Sequence, residues 1–521
     1  MGRCRSRSCA SAHNSRRILS GRLRWAGLAR TVKSFGAGSR DKREPNLPTS
    51  GHAIAAFGKD RHVHYESIAS LSAGIKSKSV SPVEVTRYML ARIAARDGTS
   101  GAYATLVADR ATARAAAAEQ EIERGLWRGP LHGIPIGLKD IIYTDFAETA
   151  AGTAIHRGFK PPFSATVTER LEAAGAITLG KLKTTEQAFA DHHPSISAPI
   201  NPWGAEYWTG SSSSGSGVAT AAGLAFGTLG SDTGGSIRLP SAANGITGLK
   251  PTWGRVSRYG VFPLADTLDH VGPMTRSAVD AAIMLEAIAG ADPNDPTALH
   301  DPVPAYASLC EAGIRGLKIG MPRDFVMSGI DDQVAAAWEA TSRSLERLGA
   351  VLHPMEFPEW REAVGHWGLL CAAETAWAHR DTHPSRKAEY GSVLSNFIEM
   401  GQSATAPQLA EANIARVTFW SRMAAAFGGL DLILMPTLPS RVPTTAEWLG
   451  RAGGDFSEYL RFTIPADLTG GPTITFPASF DTSGMPITMQ LYGPHLSEAL
   501  LCQAGAAFQR ATDWHLRHPQ D

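Results

Sequence analysis

Between Gly210 and Arg238 the chain reads GSSSSGSGVATAAGLAFGTLGSDTGGSIR. A stretch this poor in large side chains cannot fill a core, so its backbone must be what matters. Glycine tolerates φ > 0 and lets the backbone approach a ligand closely. Successive free N–H groups in such a turn form an anion-binding concavity. Two Ser- and Gly-rich turns, Gly210–Gly217 and Gly230–Ser236, bracket a short segment of small residues. Ser236, at the end of the second turn, would sit beside its own oxyanion hole. Upstream, LHGIPIGLKD places Lys139 in an otherwise apolar segment. Two serines and a buried lysine point to an acyl-transfer site that does not need histidine.

Around that block, helix and strand signals alternate. Ser81-Pro82-Val83-Glu84 is a capping box with proline at the first helical position. Val85, Met89 and Ile93 then recur at helical spacing. The pattern predicts further helices over 110–123, stopped by Gly125, and over 166–174, stopped by Gly175. Others run from Ser277 to Gly290 and over 332–348, closed by Gly349. Strands are expected at Ile134–Leu138, Ala176–Leu179, Gly316–Pro322, Leu430–Met435, Thr473–Phe476 and Ile487–Leu491, with a last helix over 498–510. Between Trp360 and Arg416 the pattern is helical. This alternation indicates an α/β protein with a mixed sheet in one large domain, ordered from about Tyr65 onward.

The charge balance narrows the partners. Lys and Arg number 50 against 49 Asp and Glu, a formal net charge of +1, which argues against a nucleic-acid binder held by bulk charge. No apolar run approaches the roughly 18 residues of a membrane span. Cys4, Cys9, Cys310, Cys371 and Cys502 are scattered without zinc-like spacing, and their odd number fits a reducing compartment. A cytoplasmic protein is therefore expected. Residues 1–60 are expected to form a basic, disordered tail. From Met1 to Arg40 there is no Asp or Glu, and arginine recurs. The composition resembles an organellar transit peptide, and Ser15-Arg16-Arg17 is similar to a twin-arginine signal. Arg22, Arg24 and Arg30 interrupt what should be its apolar stretch, however. A plain tail, or a start codon set too far upstream, explains the same residues.

LHGIPIGLKD, GSSSSGSG, GSDTGGSIRLPSAANGITGLKPTWGRVSRYGVFPLADTLDHVGPMTRS and FTIPADLTGGPTITFPASF together resemble the amidase signature family, over a span from Tyr65 to His515. The resemblance implies a single large α/β domain over 65–515, with a central mixed β-sheet flanked by helices on both faces. It implies Ser236 as nucleophile, Ser212 as bridging serine and Lys139 as base, the proton passing from Ser236 to Ser212 to Lys139. Lys139 must then be uncharged at working pH. Free lysine has a pKa of about 10.4, and lowering it by about three units costs roughly 4 kcal/mol of differential solvation. Ile134, Pro135, Ile136 and Leu138 are suitable neighbours for that. Asp140 would oppose it and is expected to point away. Thr233, Gly234 and Gly235 would supply backbone N–H donors to the tetrahedral intermediate, and loss of one such donor typically costs roughly 10²–10³ in rate. Asp232 and Arg238 flank the turn and would pair to brace it. Water then hydrolyses the acyl-enzyme. No metal and no cofactor is implied. The implied partner is a small-molecule amide substrate, with neither nucleic acid nor membrane, and a homodimer is compatible with it.

Each of these residues has a plainer reading when taken alone. Lys139 reads as a solvated lysine at a strand end, Ser212 as loop filler in a run of four serines, and Ser236 as a helix N-cap. The first turn also departs from the family's Gly-Gly-Ser-Ser-Gly-Gly, carrying Gly210-Ser211-Ser212-Ser213-Ser214-Gly215. A slip of register would put Ser211 or Ser213 in the bridging place. Joint occurrence inside long matching blocks weighs against the plain readings. Gly175–Leu182 looks like a phosphate-binding loop, but Leu182 stands where the magnesium-binding Ser/Thr belongs, and its glycines enclose a strand. His132, His192, His193 and His270 lack metal spacing, with His192 and His193 pointing apart if they lie on a strand. Trp360, Trp367, Trp377 and Trp420 are expected in the core more than in a substrate pocket.

Three functions fit the blocks. The first is a stand-alone amidase, cleaving a carboxylic amide to acid and ammonia or amine. The second is the A subunit of a tRNA-dependent amidotransferase, releasing ammonia from glutamine. The third, a catalytically silent partner protein, is disfavoured by the intact Lys139, Ser212 and Ser236. His270 stands where those A subunits usually have glutamine, and Leu460 where an aspartate holding the glutamine α-ammonium is expected. A buried ammonium without a carboxylate partner binds poorly, so the first function is favoured.

Overall fold

The computed structural model describes residues 62–450 and 457–520. The expected tail over 1–60, with its targeting alternatives, lies outside them. Helix starts follow the capping chemistry of the sequence. The Ser81 hydroxyl accepts from the Glu84 amide (3.1 Å) and opens the helix Pro82–Ser100, which Gly101 ends in the left-handed conformation. Ser277 does the same with the Asp280 amide at the start of Ala278–Ile288.

The described residues carry eleven strands in one mixed sheet. They are β1 (Tyr103–Leu106), β2 (Pro135–Lys139), β3 (Ile177–Leu182), β4 (Gly227–Asp232), β5 (Thr247–Lys250), β6 (His270–Thr275), β7 (Lys318–Met321), β8 (Val351–Pro354), β9 (Leu432–Pro436), β10 (Thr473–Phe480) and β11 (Pro486–Tyr492). Their spatial order is β1-β3-β2-β4-β6-β5-β10-β11-β9-β7-β8. β2 runs parallel to both β3 and β4, while β6, β5, β10 and β11 continue antiparallel. Every residue of β2 to β6 is buried, so both faces of that half of the sheet are covered.

Two expectations about the Ser–Gly block change. The first turn is only half a turn, because Ser214–Ala221 is helical. Gly230, expected to open the second turn, lies inside β4. These glycines have a packing reason: a Cβ on Gly230 would meet Met274 Sδ at 2.6 Å and Ser213 Oγ at 2.9 Å. A strand that small lets the helix Ser214–Ala221 lie close against it. β4 (GTLGSD) and β6 (HVGPMT) carry neither alternation nor an apolar run, so they were not expected. Within Gly175–Leu182 the strand β3 runs from Ile177 to Leu182, so Gly180 lies inside the strand and does not close it. His192 and His193 sit in a loop, not on a strand.

The topology gathers the chemistry at one edge. Lys139 is the last residue of β2 and Asp232 the last of its parallel neighbour β4. Helices Ser214–Ala221 and Arg238–Asn244 begin just after Ser212 and Ser236. Carboxyl ends of parallel strands are where open α/β sheets bind ligands.

Candidate active site

Lys139 is fully buried, and its ammonium nitrogen lies 2.6 Å from Ser212 Oγ and 2.8 Å from Ser231 Oγ. Burial lowers its pKa to about 7, against the opposing pull of the Asp269 and Asp232 carboxylates. Among the described residues Lys139 makes no ion pair. Asp140 points elsewhere, as expected. Its carboxylate lies 3.2 Å from Lys181 Nζ and accepts from the Ala150 amide at 3.1 Å.

The register of the serine run is fixed by these contacts. Ser212 meets the lysine, whereas Ser213 accepts from the Ser231 amide and donates to the Ser231 carbonyl, both at 3.2 Å. The Ser211–Ser212 peptide bond is cis. Ser236 is half-buried, unlike Lys139 and Ser212. Its segment touches the other one where the Ser213 amide meets the Ser236 carbonyl (3.4 Å). Among the described residues the Ser236 hydroxyl makes no hydrogen bond, so the structure brings Lys139 and Ser212 into contact and leaves the third hydroxyl free. Ser236 does not cap the next helix.

Asp232 organises the loop that follows. Its carboxylate accepts from the amides of Gly235 (2.6 Å) and Ile237 (3.0 Å), and from Arg238 Nε and Nη2 (3.0 and 2.9 Å). Burial alone would raise the Asp232 carboxyl; the Arg238 guanidinium outweighs it and holds that carboxyl far below the usual range. Arg238 also donates to Asp467 (2.7 Å) and to the Thr463 carbonyl (2.7 Å); Asp232, Arg238 and Asp467 are all fully buried, and burial pushes the Asp467 carboxyl well above the usual range against the pull of Arg238. The expected brace is therefore larger than the Asp232–Arg238 pair. Of the three expected donors, the Gly235 amide is engaged by Asp232. Those of Thr233 and Gly234, with that of Ser236, make no hydrogen bond among the described residues.

Several neighbours join the site only through the fold. Ser231 is the lysine's second hydroxyl. The buried Asp269 accepts from Thr233 Oγ1 (2.6 Å), and burial pushes its pKa up to about 6. His270 is buried between Lys250 Nζ (3.0 Å from Nε2) and the Asp232 carbonyl (3.2 Å from Nδ1). A carbonyl can only accept, so Nδ1 carries the proton and Nε2 accepts from the lysine. Of the tryptophans, Trp360 is buried and Trp367 lies against the loop. Trp377 and Trp420 are 65% and 49% exposed, against the expectation of core. Their neighbours explain this. Arg380 covers the Trp377 ring at 4.0 Å, and His495 stacks on Trp420.

This geometry has relatives. The amidase family model matches residues 84–502. The AmiD protein of Mycobacterium tuberculosis, named as an amidase, is 42% identical over 447 residues, covering 85% of this chain and 94% of its own length. The A subunit of the glutamyl-tRNA(Gln) amidotransferase of Chloroflexus aurantiacus is 36% identical over 488 residues, covering 88% and 99%. Among solved structures, the native peptide amidase of Stenotrophomonas maltophilia superposes with a TM-score of 0.75 at 29% identity, covering 87% of this chain and 98% of its own.

Proposed function

The chain belongs to the amidase signature family, whose members hydrolyse amide C–N bonds, and we propose that it is a stand-alone amidase working through Ser236, Ser212 and Lys139. In this reading neutral Lys139 takes a proton from Ser212 as Ser212 takes one from Ser236. Ser236 Oγ attacks the amide carbonyl. The amides of Thr233, Gly234 and Ser236 hold the oxyanion. The relay then returns the proton to the leaving ammonia or amine, and the acyl-enzyme on Ser236 is hydrolysed by water that the same relay activates. The observation that carries the reading is the fully buried lysine 2.6 Å from a serine hydroxyl. The Ser236–Ser212 contact is left to form with substrate, as catalytic hydrogen bonds often tighten only in the complex.

The rival within the family is the glutamine-using A subunit. His270 no longer bears on that choice through substrate contact, because it is buried and committed to Lys250 and Asp232. Leu460, an apolar group where an ammonium-binding aspartate is expected, still favours simple amides. The test is ammonia release by the purified chain from aliphatic, aryl and amino-acid amides, without a partner. Lys139→Ala and Ser236→Ala should abolish turnover in folded protein, and Ser212→Ala should leave a trace. Activity seen only with glutamine and added subunits would replace this reading with the rival. Near-normal rates for the lysine variant would remove the mechanism.

A further inference from the structure

The oxyanion loop is a row of peptide planes, and each plane is gripped by its carbonyl from outside. The Asp232 carbonyl accepts from His270 Nδ1 at 3.2 Å. The Thr233 carbonyl accepts from Trp367 Nε1 at 2.9 Å, the Gly234 carbonyl from Thr463 Oγ1 at 2.8 Å, and the Gly235 carbonyl from the Leu239 amide at 2.6 Å. In a planar trans peptide the N–H points opposite to its carbonyl. Each grip therefore aims the next residue's N–H away from the gripping group. Three of the four N–H groups so aimed, those of Thr233, Gly234 and Ser236, make no hydrogen bond among the described residues.

We propose that Trp367 is a positioning residue for amide hydrolysis, fixing the Gly234 N–H for the oxyanion through its indole hydrogen bond to the Thr233 carbonyl. Its placement is close-fitting. A Cβ on Gly234 would meet Trp367 Cζ2 at 2.5 Å, so the ring lies directly against that residue. Trp367 comes from the helix Arg361–Ala378, far in sequence from the loop, and it is half-buried. It packs partly against the main apolar core, and its N–H is turned to the loop. The inference rests on the reading of Ser236 as nucleophile given above.

Trp367→Phe keeps an aromatic side chain, smaller than the indole, and removes the N–H. Losing an oxyanion donor outright costs roughly 10²–10³, so a donor left in place but no longer held should lower kcat about tenfold with KM within about twofold. Phenylboronic acid, which forms a tetrahedral adduct on a reactive serine, should bind weaker by the same factor, while the planar benzoate is unaffected. In the unaltered protein, the Trp367 indole N–H resonance should move when phenylboronic acid binds and stay when benzoate binds. An unchanged kcat, a change confined to KM, or an indole resonance indifferent to the boronic acid would each overturn the inference. Ser236→Ala is measured alongside. If it stays active, the reading of the site has failed; if it is dead and Trp367→Phe is unimpaired, only the role of Trp367 has.

Discussion

Lys139 has two hydroxyl neighbours, and its burial outweighs the pull of Asp269 and Asp232. Its pKa of about 7 divides the pH scale into a region where it carries a proton and one where it can accept one. A protonated lysine cannot serve as base, so the sign is fixed. For a slow amide, kcat/KM should fall about tenfold per unit below pH 7 and level off above it. A flat profile from pH 5 to 9 would show that this amine is not the base. At this scale the sequence was informative where a motif was contiguous. Lys139, Ser212, Asp232, Ser236 and Arg238 all sit in blocks that could be read directly. The choice between Ser212 and its neighbours could not be, because four adjacent serines are chemically alike until a lysine is seen to touch one of them. Ser231, His270, Trp367 and Thr463 were missed for another reason. Their relation to the loop exists only after strands β4 and β6 pair and distant helices pack.

At the scale of elements, capped helices and strands with a short apolar run were legible, several with ends displaced by a residue or so. The helix expected over 332–348 runs Asp332–Arg347, and the strand expected at Ile134–Leu138 runs Pro135–Lys139. Strand β3 extends past its expected end at Leu179 to Leu182, and its last residues are those that pair with β1 and β2. The small-residue strand β4 and its partner β6 were illegible because their glycines serve close approach, which leaves no periodicity. Gly180 shows the same economy at the edge of the sheet. A Cβ there would fall 2.1 Å from the Thr105 carbonyl of β1. Backbone cannot swing aside as a side chain can, so Gly180→Ala should separate β1 from β3 and cost about 1–3 kcal/mol, read from denaturant unfolding. An unchanged midpoint would mean that this edge pairing contributes nothing to stability.

Across the whole molecule, one arginine ties together residues far apart in the chain. Arg238 meets Asp232 six residues earlier, and Thr463 and Asp467, 225 and 229 residues later. Asp232, Arg238 and Asp467 are all buried, so removing the cation would leave the Asp232 carboxylate unpaired and the Asp467 carboxyl without its donor. Arg238→Leu should therefore destabilise the fold by about 3–5 kcal/mol, measured by denaturant or thermal unfolding. A loss below about 1 kcal/mol would show the cluster to be dispensable. The same connection orders events during synthesis. A ribosome-bound chain that has not yet emerged as far as Thr463 already holds Lys139, Ser212 and Ser236, yet its Arg238 has only Asp232 to grip. The loop's brace is thus incomplete in the nascent protein until its final segment arrives.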